Sequence, residues 1–147
     1  KTQKQNAHDL SKLAQQMASM MQQQMAQQAG EDIEKLKALT DNIITFSFEQ
    51  EDLMKTTKKM TFRNPKINNL RRRQHKLAQS FSIVEDSLFA LSKRHPVLDQ
   101  TVQKELTNIM LKLNKVETLL QNNRMQQAAG EQQFIMTSAN NLALLLD

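Results

Sequence analysis

One stripe of apolar residues in the second half of the chain repeats with steps of three and four. Such spacing places the side chains on one face of an α-helix that buries a single seam. The pattern predicts a long helix from Val97 onward, and it constrains the fold more than any other feature. The stripe consists of Leu98, Val102, Leu106, Ile109, Leu113, Val116 and Leu120.

The composition excludes several fold classes. Only two glycines and two prolines occur in 147 residues, so the chain lacks the turn residues of a many-stranded sheet, and all-β and doubly wound α/β folds are excluded. The absence of cysteine excludes disulfides, thiolate zinc sites and a cysteine nucleophile. The longest apolar run, Leu142 to Leu146, is far shorter than the roughly 20 residues of a membrane span.

Four more segments show helical periodicity or composition. A Gln- and Met-rich helix is predicted over about residues 6–28, a second from Gly30 to Lys59, a third over 65–94, and a last one after Gly130. The domain organisation predicted from these segments is a Gln/Met-rich helix at 1–29 and a bundle at 30–147. Because the chain stops directly after an apolar run, we expect it to be a fragment of a longer protein.

The inner faces follow the same spacing. The segment Ile43–Phe48, taken alone, is typical of a strand, but the helical spacing continues on both sides of it and favours a helix. Asn64 and Pro65 predict the start of the third helix, and Pro96 with a cap at Asp99 predicts a short connection. The second helix should bury Ile33, Leu36, Leu39, Ile43, Phe46, Leu53 and Met60, and the third Leu70, Leu77, Phe81, Val84, Leu88 and Leu91, with Gln74 in register.

These helices predict an all-α fold, an elongated and coiled-coil-like antiparallel bundle of about four to five helices. Its core should contain Leu106, Ile109 and Leu113 packed against Phe81, Val84 and Leu88. At the chain end the leucines occupy more than one side of a helix, so one seam cannot cover them all, and we expect another helix or a second chain to cover the rest. These leucines are Leu142, Leu144, Leu145 and Leu146.

Three segments resemble part of a known group of proteins. They are DNIITFSFEQEDLM (41–54), VEDSLFALSKR (84–94) and MTSANNLALLL (136–146). They resemble the Gln- and Met-rich helical region of large membrane-anchored Bacteroidetes proteins that contain a domain of unknown function. The resemblance implies a helical part of a longer envelope protein that faces the periplasm, and it brings no catalytic motif.

The residues that could carry chemistry are better explained as surface and capping groups. Acidic residues cluster at 49–52 and 85–86, yet no Glu has a His three residues later, as a carboxylate-bridged di-metal bundle requires. The three histidines lie far apart, and neither glycine belongs to a phosphate-binding loop. The sequence therefore predicts no enzyme, no catalytic residue, no metal and no cofactor. Met17, Met20, Met21 and Met25 are interpreted as ordinary packing residues, with an adaptable binding surface as the alternative.

A concentration of positive charge is the one candidate site. The segment 55–76 holds nine basic residues and no acidic one, a formal charge of +9, so the rest of the chain carries −4 in the total of +5. We call it the basic segment, and it should lie at one end of the bundle. It is either a solvated helix end or a site for an acidic protein, a lipid surface or nucleic acid. Its residues are Lys55, Lys58, Lys59, Arg63, Lys66, Arg71, Arg72, Arg73 and Lys76.

The leading hypothesis is a non-enzymatic helical scaffold or protein-interaction module of a larger envelope protein, on the periplasmic face. Its partners would be other helices of the parent protein, another protein or a second copy, with membrane anchoring outside this segment. The alternative function is binding of an anionic surface, nucleic acid or lipid, through the basic segment. Nucleic acid is the less favoured ligand, because only Phe62 is nearby to stack on bases.

Overall fold

A computed structural model describes residues 2–95 and 100–147, and these residues form four α-helices. α1 covers Gln3–Lys59, α2 Ile67–Ser92, α3 Gln100–Gln121 and α4 Met125–Leu146. The described residues contain no strand, and the predicted all-α helical bundle is confirmed. The expected helix start at Val97, the stripe member Leu98 and the connection with Pro96 and Asp99 lie outside the described residues.

α1 begins earlier than the sequence predicted because two reciprocal hydrogen bonds between Thr2 and Gln5 cap its first turn. The Thr2 backbone N–H donates to Gln5 Oε1 at 3.4 Å, and the Gln5 backbone N–H donates to Thr2 Oγ1 at 3.3 Å. This reciprocal pair is a capping box, which satisfies two of the backbone donors that a helix start leaves free. The helix therefore starts at Gln3 and not near residue 6.

The prediction of two helices separated at Gly30 is wrong, since α1 runs through that residue without interruption. Gly30 has no positive φ and no neighbouring atom near the position of a Cβ. A lone glycine costs a helix only about 1 kcal/mol relative to alanine, less than the hydrogen bonds that a break would sacrifice. Glycine alone was too weak a signal to end this helix.

The chain divides into two compact units, Lys1–Lys35 and Leu36–Asp147. In the first unit the apolar stripe of α1 is exposed, so the methionines interpreted as packing residues are not buried within this unit. Ile33, predicted on the inner face, is likewise 57% exposed. The exposed fractions of the stripe are Leu10 66%, Leu13 52%, Met17 56%, Met20 58%, Met21 60% and Met25 70%.

In the second unit the end of α1 packs with α2, α3 and α4 in antiparallel order. The rings of Phe46 and Phe81 lie 4.7 Å apart between α1 and α2. The Ser47 hydroxyl donates to Asn140 Oδ1 in α4 at 2.7 Å. Between α3 and α4, Lys112 Nζ lies 2.8 Å from a carboxylate oxygen of Glu131. The hydrogen bond from Lys112 lowers the pKa of Glu131 against the opposing effect of burial.

The predicted inner faces of this unit form its core. The six side chains expected to meet between α2 and α3 are all buried in one cluster, which confirms that prediction. The segment 43–48 is helical, as the spacing on either side of it indicated. The buried stripe of α3 is Val102, Leu106, Ile109, Leu113, Val116 and Leu120, and that of α2 is Ile67, Leu70, Gln74, Leu77, Phe81, Val84, Leu88 and Leu91.

A layer of polar side chains crosses this apolar core. The amides of Gln50 and Gln74 exchange two hydrogen bonds of 3.0 and 2.9 Å. Gln132 Nε2 donates to Gln74 Oε1 and to Thr57 Oγ1, both at 3.0 Å. All four side chains are fully buried. The layer connects α1, α2 and α4, and only Gln74 was expected at a core position.

The turn between α3 and α4 is set by Asn123 and not by Gly130. Asn123 has a φ of 59°, the left-handed conformation that asparagine tolerates. The Arg124 N–H donates to the Leu119 carbonyl at 2.9 Å and the Asn123 N–H to that of Leu120 at 3.2 Å, the two bonds of a Schellman motif. The predicted boundary at Gly130 is wrong, because that residue lies within α4.

The remaining helix ends differ from the predictions by small amounts. α2 covers 67–92 where 65–94 was predicted, and Lys66 is its N-cap, without a side-chain cap. Asn64 Oδ1 accepts instead from the Lys66 N–H at 2.9 Å, in the turn that contains Pro65. At the chain end Leu144 and Leu145 are 75% and 48% exposed while Leu142 and Leu146 are buried. One seam indeed leaves part of this leucine run uncovered.

The core predicts a contrast between two leucines of α3. Leu113 is fully buried and Leu111 is 63% exposed, so Leu113→Ala should lower the free energy of unfolding by about 2–5 kcal/mol. Leu111→Ala, the matched control, should change it by less than about 0.5 kcal/mol. Urea unfolding followed by circular dichroism measures both, and equal effects would contradict the assigned inner face of α3.

The uninterrupted course of α4 predicts that Gly130→Ala stabilises the bundle. A Cβ at this position meets no atom within 4 Å and the backbone φ is not positive. The substitution should therefore raise the free energy of unfolding by about 0.5–1 kcal/mol. If residue 130 were a helix boundary in a left-handed conformation, the same substitution would lower it.

Candidate anion-binding site at one end of the bundle

Both described turns of the bundle lie at the same end, and Arg71 connects them. Its Nη2 donates to Asn123 Oδ1 at 2.7 Å, and its Nε donates to the Leu120 carbonyl at 3.1 Å. Since Arg71 belongs to the first turns of α2, the α1–α2 turn at 60–66 lies beside the α3–α4 turn at 122–124. The basic segment therefore lies at one end of the bundle, where the sequence analysis expected it.

Three of its nine basic side chains are engaged within the protein. Arg71 is half-buried and serves the end of α3. Arg73 forms an ion pair with Asp52 at 3.0 Å, and Lys55 forms one with Glu51 at 3.2 Å. Lys55 and Arg73 are therefore partly neutralised, and the hydrogen bonds of the Arg71 guanidinium go to neutral oxygen atoms of the protein. Arg72 and Arg73 are exposed, as the consecutive positions of Arg71, Arg72 and Arg73 on a helix predicted.

The other six basic side chains are exposed, and none of them has an ion-pair partner within residues 2–95 and 100–147. The Arg63 guanidinium lies 5.5 Å from the centre of the Phe62 ring. Because no carboxylate neutralises these groups, they produce a positive potential at this end of the bundle. The six are Lys58, Lys59, Arg63, Lys66, Arg72 and Lys76.

The structure separates these six into two places. Arg72 and Lys76 line a groove of about 330 Å³ between α2 and α3. Lys58 and Lys59 end α1, and Arg63 and Lys66 follow in the turn. We call residues 58–66 the tip.

The groove mixes charge of both signs. His75 Nδ1 lies 3.0 Å from Glu117 Oε1, so a carboxylate stands in its wall. That carboxylate repels an anion that would otherwise meet Arg72 and Lys76. The groove is lined by Arg71, Arg72, His75, Lys76, Glu117 and Leu120, among others.

The tip, by contrast, contains no acidic residue and presents an apolar side chain. Phe62 is 59% exposed, and Thr61 and Pro65 beside it are exposed as well. Met60 is half-buried and packs against the core cluster. The tip therefore combines one exposed ring with four exposed cations within nine residues, and the guanidinium of one of them, Arg63, lies against that ring.

Sequence reasoning missed three features of this end. Arg124 is exposed in the α3–α4 turn and adds a cation beside the basic segment. Glu117 and Asn123 contact residues of α2 that lie 42 and 52 positions away. The antiparallel pairing of α2 with α3 could have indicated these contacts, but the exact register could not be derived from the spacing.

The described part of the chain contains no group of three His, Asp or Glu side chains arranged to hold a metal ion. None of its helices combines the length and hydropathy needed to cross a bilayer. No protein-family model, curated protein or solved structure matches the chain. The resemblance to a region of membrane-anchored Bacteroidetes proteins therefore stays a prediction.

The contacts of Arg71 predict unequal roles for neighbouring arginines. Arg71→Gln removes three hydrogen bonds, including the one to the end of α3, and should lower the free energy of unfolding by about 1–2 kcal/mol. Arg72→Gln, the control on the exposed side, should change it by less than about 0.5 kcal/mol. Chemical unfolding measures both, and equal values would show that the link between the two turns contributes nothing to stability.

Proposed function

We propose that the chain is a non-enzymatic helical scaffold and protein-interaction module of a larger envelope protein, on its periplasmic side. The observation that carries the proposal is the apolar stripe of α1 between Leu10 and Met25, in which each of six side chains is more than half exposed. A continuous apolar helical face of this kind is typical of a surface that another helix covers. The resemblance of three segments supports the envelope location.

The chemistry of the stripe suits a helical partner. Leu10, Leu13, Met17 and Met20 follow steps of three and four, the spacing of a two-helix seam. Methionine side chains adapt to irregular surfaces because they are unbranched and flexible. The 18 residues from Leu13 to Gly30 carry no charge, so a second copy meets no electrostatic repulsion there.

The size of the stripe is adequate for a weak, specific contact. Sixteen residues of helix extend for about 24 Å, and a helix with side chains is about 10 Å wide. Pairing would bury on the order of 500 Å² on each helix, about 1,000 Å² in total, the lower limit for specific interfaces. We therefore expect association at micromolar to millimolar concentrations and not a permanent dimer.

Self-association tests this proposal, since a second copy offers the same stripe. The variant Leu13→Gln/Met17→Gln/Met20→Gln keeps helix propensity and removes apolar area, so it should sediment as a smaller species than the wild type at equal concentration. The control variant is Leu144→Gln/Leu145→Gln, which removes two exposed apolar side chains outside the stripe. It should associate like the wild type. Sedimentation equilibrium with circular dichroism measures mass and helicity.

Two results would contradict the role of the stripe. One is a wild type that stays monomeric up to about 1 mM, a limit equivalent to about 4 kcal/mol of binding free energy. The other is association that the Leu144/Leu145 variant abolishes and the stripe variant leaves intact.

We propose as a second candidate function that the basic segment binds an anionic surface. The observation that favours it is the group of six exposed cations without ion-pair partners in the described residues. Ionic strength separates the two candidates, because salt screens contacts between exposed charges and anions but does not weaken apolar contacts.

A further inference from the structure

We propose that the tip, residues 58–66, binds the surface of a bilayer that contains anionic lipid, with the Phe62 ring inserted between the headgroups. The proposal rests on the second candidate function and names its ligand. It depends on three observations that the tip combines: an exposed aromatic ring, four exposed cations within the same nine residues, and a position at the end of the bundle.

Phe62 lies largely outside the apolar core, and its one described ring contact is with the Arg63 guanidinium. It is 59% exposed in a seven-residue turn, while Met60 in the same turn reaches the core cluster. Transfer of a phenylalanine side chain out of water is favourable, and its position in the turn lets the ring enter an interface without any change in the helices. The exposed ring therefore has a physical reason to bind an apolar environment outside the chain.

The cations around the ring match an anionic surface. Lys58, Lys59, Arg63 and Lys66 are all exposed, and the basic segment contains no acidic residue. Arg124 adds a fifth exposed cation in the adjacent turn. Basic residues close to an anionic leaflet each strengthen binding, and the gain falls off within a Debye length. The charges attract the tip to the surface, and the ring adds a contact that salt does not screen.

The arrangement favours a lipid surface over nucleic acid. Proteins that bind single strands use a positive groove with several rings on which successive bases stack. The tip contains one aromatic ring, that of Phe62, and the neighbouring groove between α2 and α3 contains the carboxylate of Glu117. A turn with one central ring and peripheral cations fits a surface that is apolar inside and negative at its boundary.

Single-tryptophan reporters test insertion directly, because the chain contains no tryptophan and no tyrosine. Phe62→Trp should shift its emission to shorter wavelength with phosphatidylserine-containing vesicles and should be quenched by brominated lipid. The matched control is Phe89→Trp, since Phe89 is 53% exposed and also has a cation beside its ring, Lys93 at 5.0 Å. Phe89 lies near the other end of α2, so this reporter should not respond. Equal responses, or none from residue 62, would overturn the proposal.

Vesicle cosedimentation tests the affinity. Phe62→Ala should weaken binding to phosphatidylserine-containing vesicles about tenfold, and Phe89→Ala should not change it. At low ionic strength, Lys58→Gln/Lys59→Gln/Lys66→Gln should weaken binding about 100-fold. Its control, Lys12→Gln/Lys37→Gln/Lys104→Gln, removes three exposed cations elsewhere and should have a much smaller effect. Vesicles of phosphatidylcholine alone should bind weakly in every case.

Heparin and a single-stranded oligonucleotide separate the ways in which the proposal can fail. Loss of heparin binding in the Lys58/Lys59/Lys66 variant, with equal vesicle binding of Phe62→Ala and Phe89→Ala, would overturn membrane insertion and leave the second candidate function standing. Wild-type behaviour of that charge variant with all three ligands would overturn both. A Phe62→Ala variant that loses oligonucleotide binding but keeps vesicle binding would assign the tip to nucleic acid and overturn the lipid proposal.

Discussion

The hydrogen bonds between the buried amides of Gln50 and Gln74 fix the arrangement on which the rest of the bundle depends. An apolar seam of leucines tolerates a shift of one helix along another, but a buried amide that loses its partner costs about 1–3 kcal/mol. Sliding α1 by one turn along α2 would separate both bonds. Gln132 of α4 donates to Gln74 and to Thr57, so its hydrogen bonds restrict the register of α4 in the same way. The polar layer therefore selects one register among several that the apolar stripes alone would permit.

This register determines what the basic end of the bundle presents. Arg71 lies one turn before Gln74 on α2, so the alignment of Gln74 places the Arg71 guanidinium beside the end of α3. There it satisfies the Leu120 carbonyl and holds Asn123, next to carbonyls that bear the negative end of the helix dipole. Arg71, one cation of the basic segment, thus forms hydrogen bonds that stabilise the bundle. The cations of the tip, which have no such acceptor, face solvent around Phe62.

The inner faces of the helices within Leu36–Asp147 were predictable from the sequence, whereas the continuation of helices through Gly30 and Gly130 was not. Steps of three and four identify a buried face because each helix shows the core a narrow stripe, and residues such as Leu113 and Phe81 follow that rule. A helix end depends on competition between small energies. At Gly30 and Gly130 the helix continues, because its hydrogen bonds outweigh the low helix propensity of glycine. Asn123 ends α3 because the Schellman bonds and Arg71 stabilise its left-handed conformation.

The candidate site was predictable in composition and unpredictable in arrangement. A run of cations without acids is visible in the residues themselves, and so is the placement of Phe62 among them. Which cations have a partner within the protein depends on residues distant in sequence, such as the carboxylate of Asp52 for Arg73 and the amide oxygen of Asn123 for Arg71. The buried amides show the same limit, since Gln50 and Gln132 resemble the many surface glutamines until their partner helices are known.

The stripe of α1 would bind through apolar contacts, whereas the tip would bind mainly through charge. The two proposals are connected, because pairing through the stripe would change the number of tips that meet a surface together. On these proposals, a single tip with one ring and a few cations would bind a surface weakly and reversibly, as one membrane signal does in general. Two chains paired through their stripes would carry two tips, and where both reached the surface the second contact would become intramolecular and strengthen overall binding. Salt would weaken the contacts of the tips and leave the apolar pairing intact. Pairing would therefore act on surface binding through valency, without any change in the tip itself.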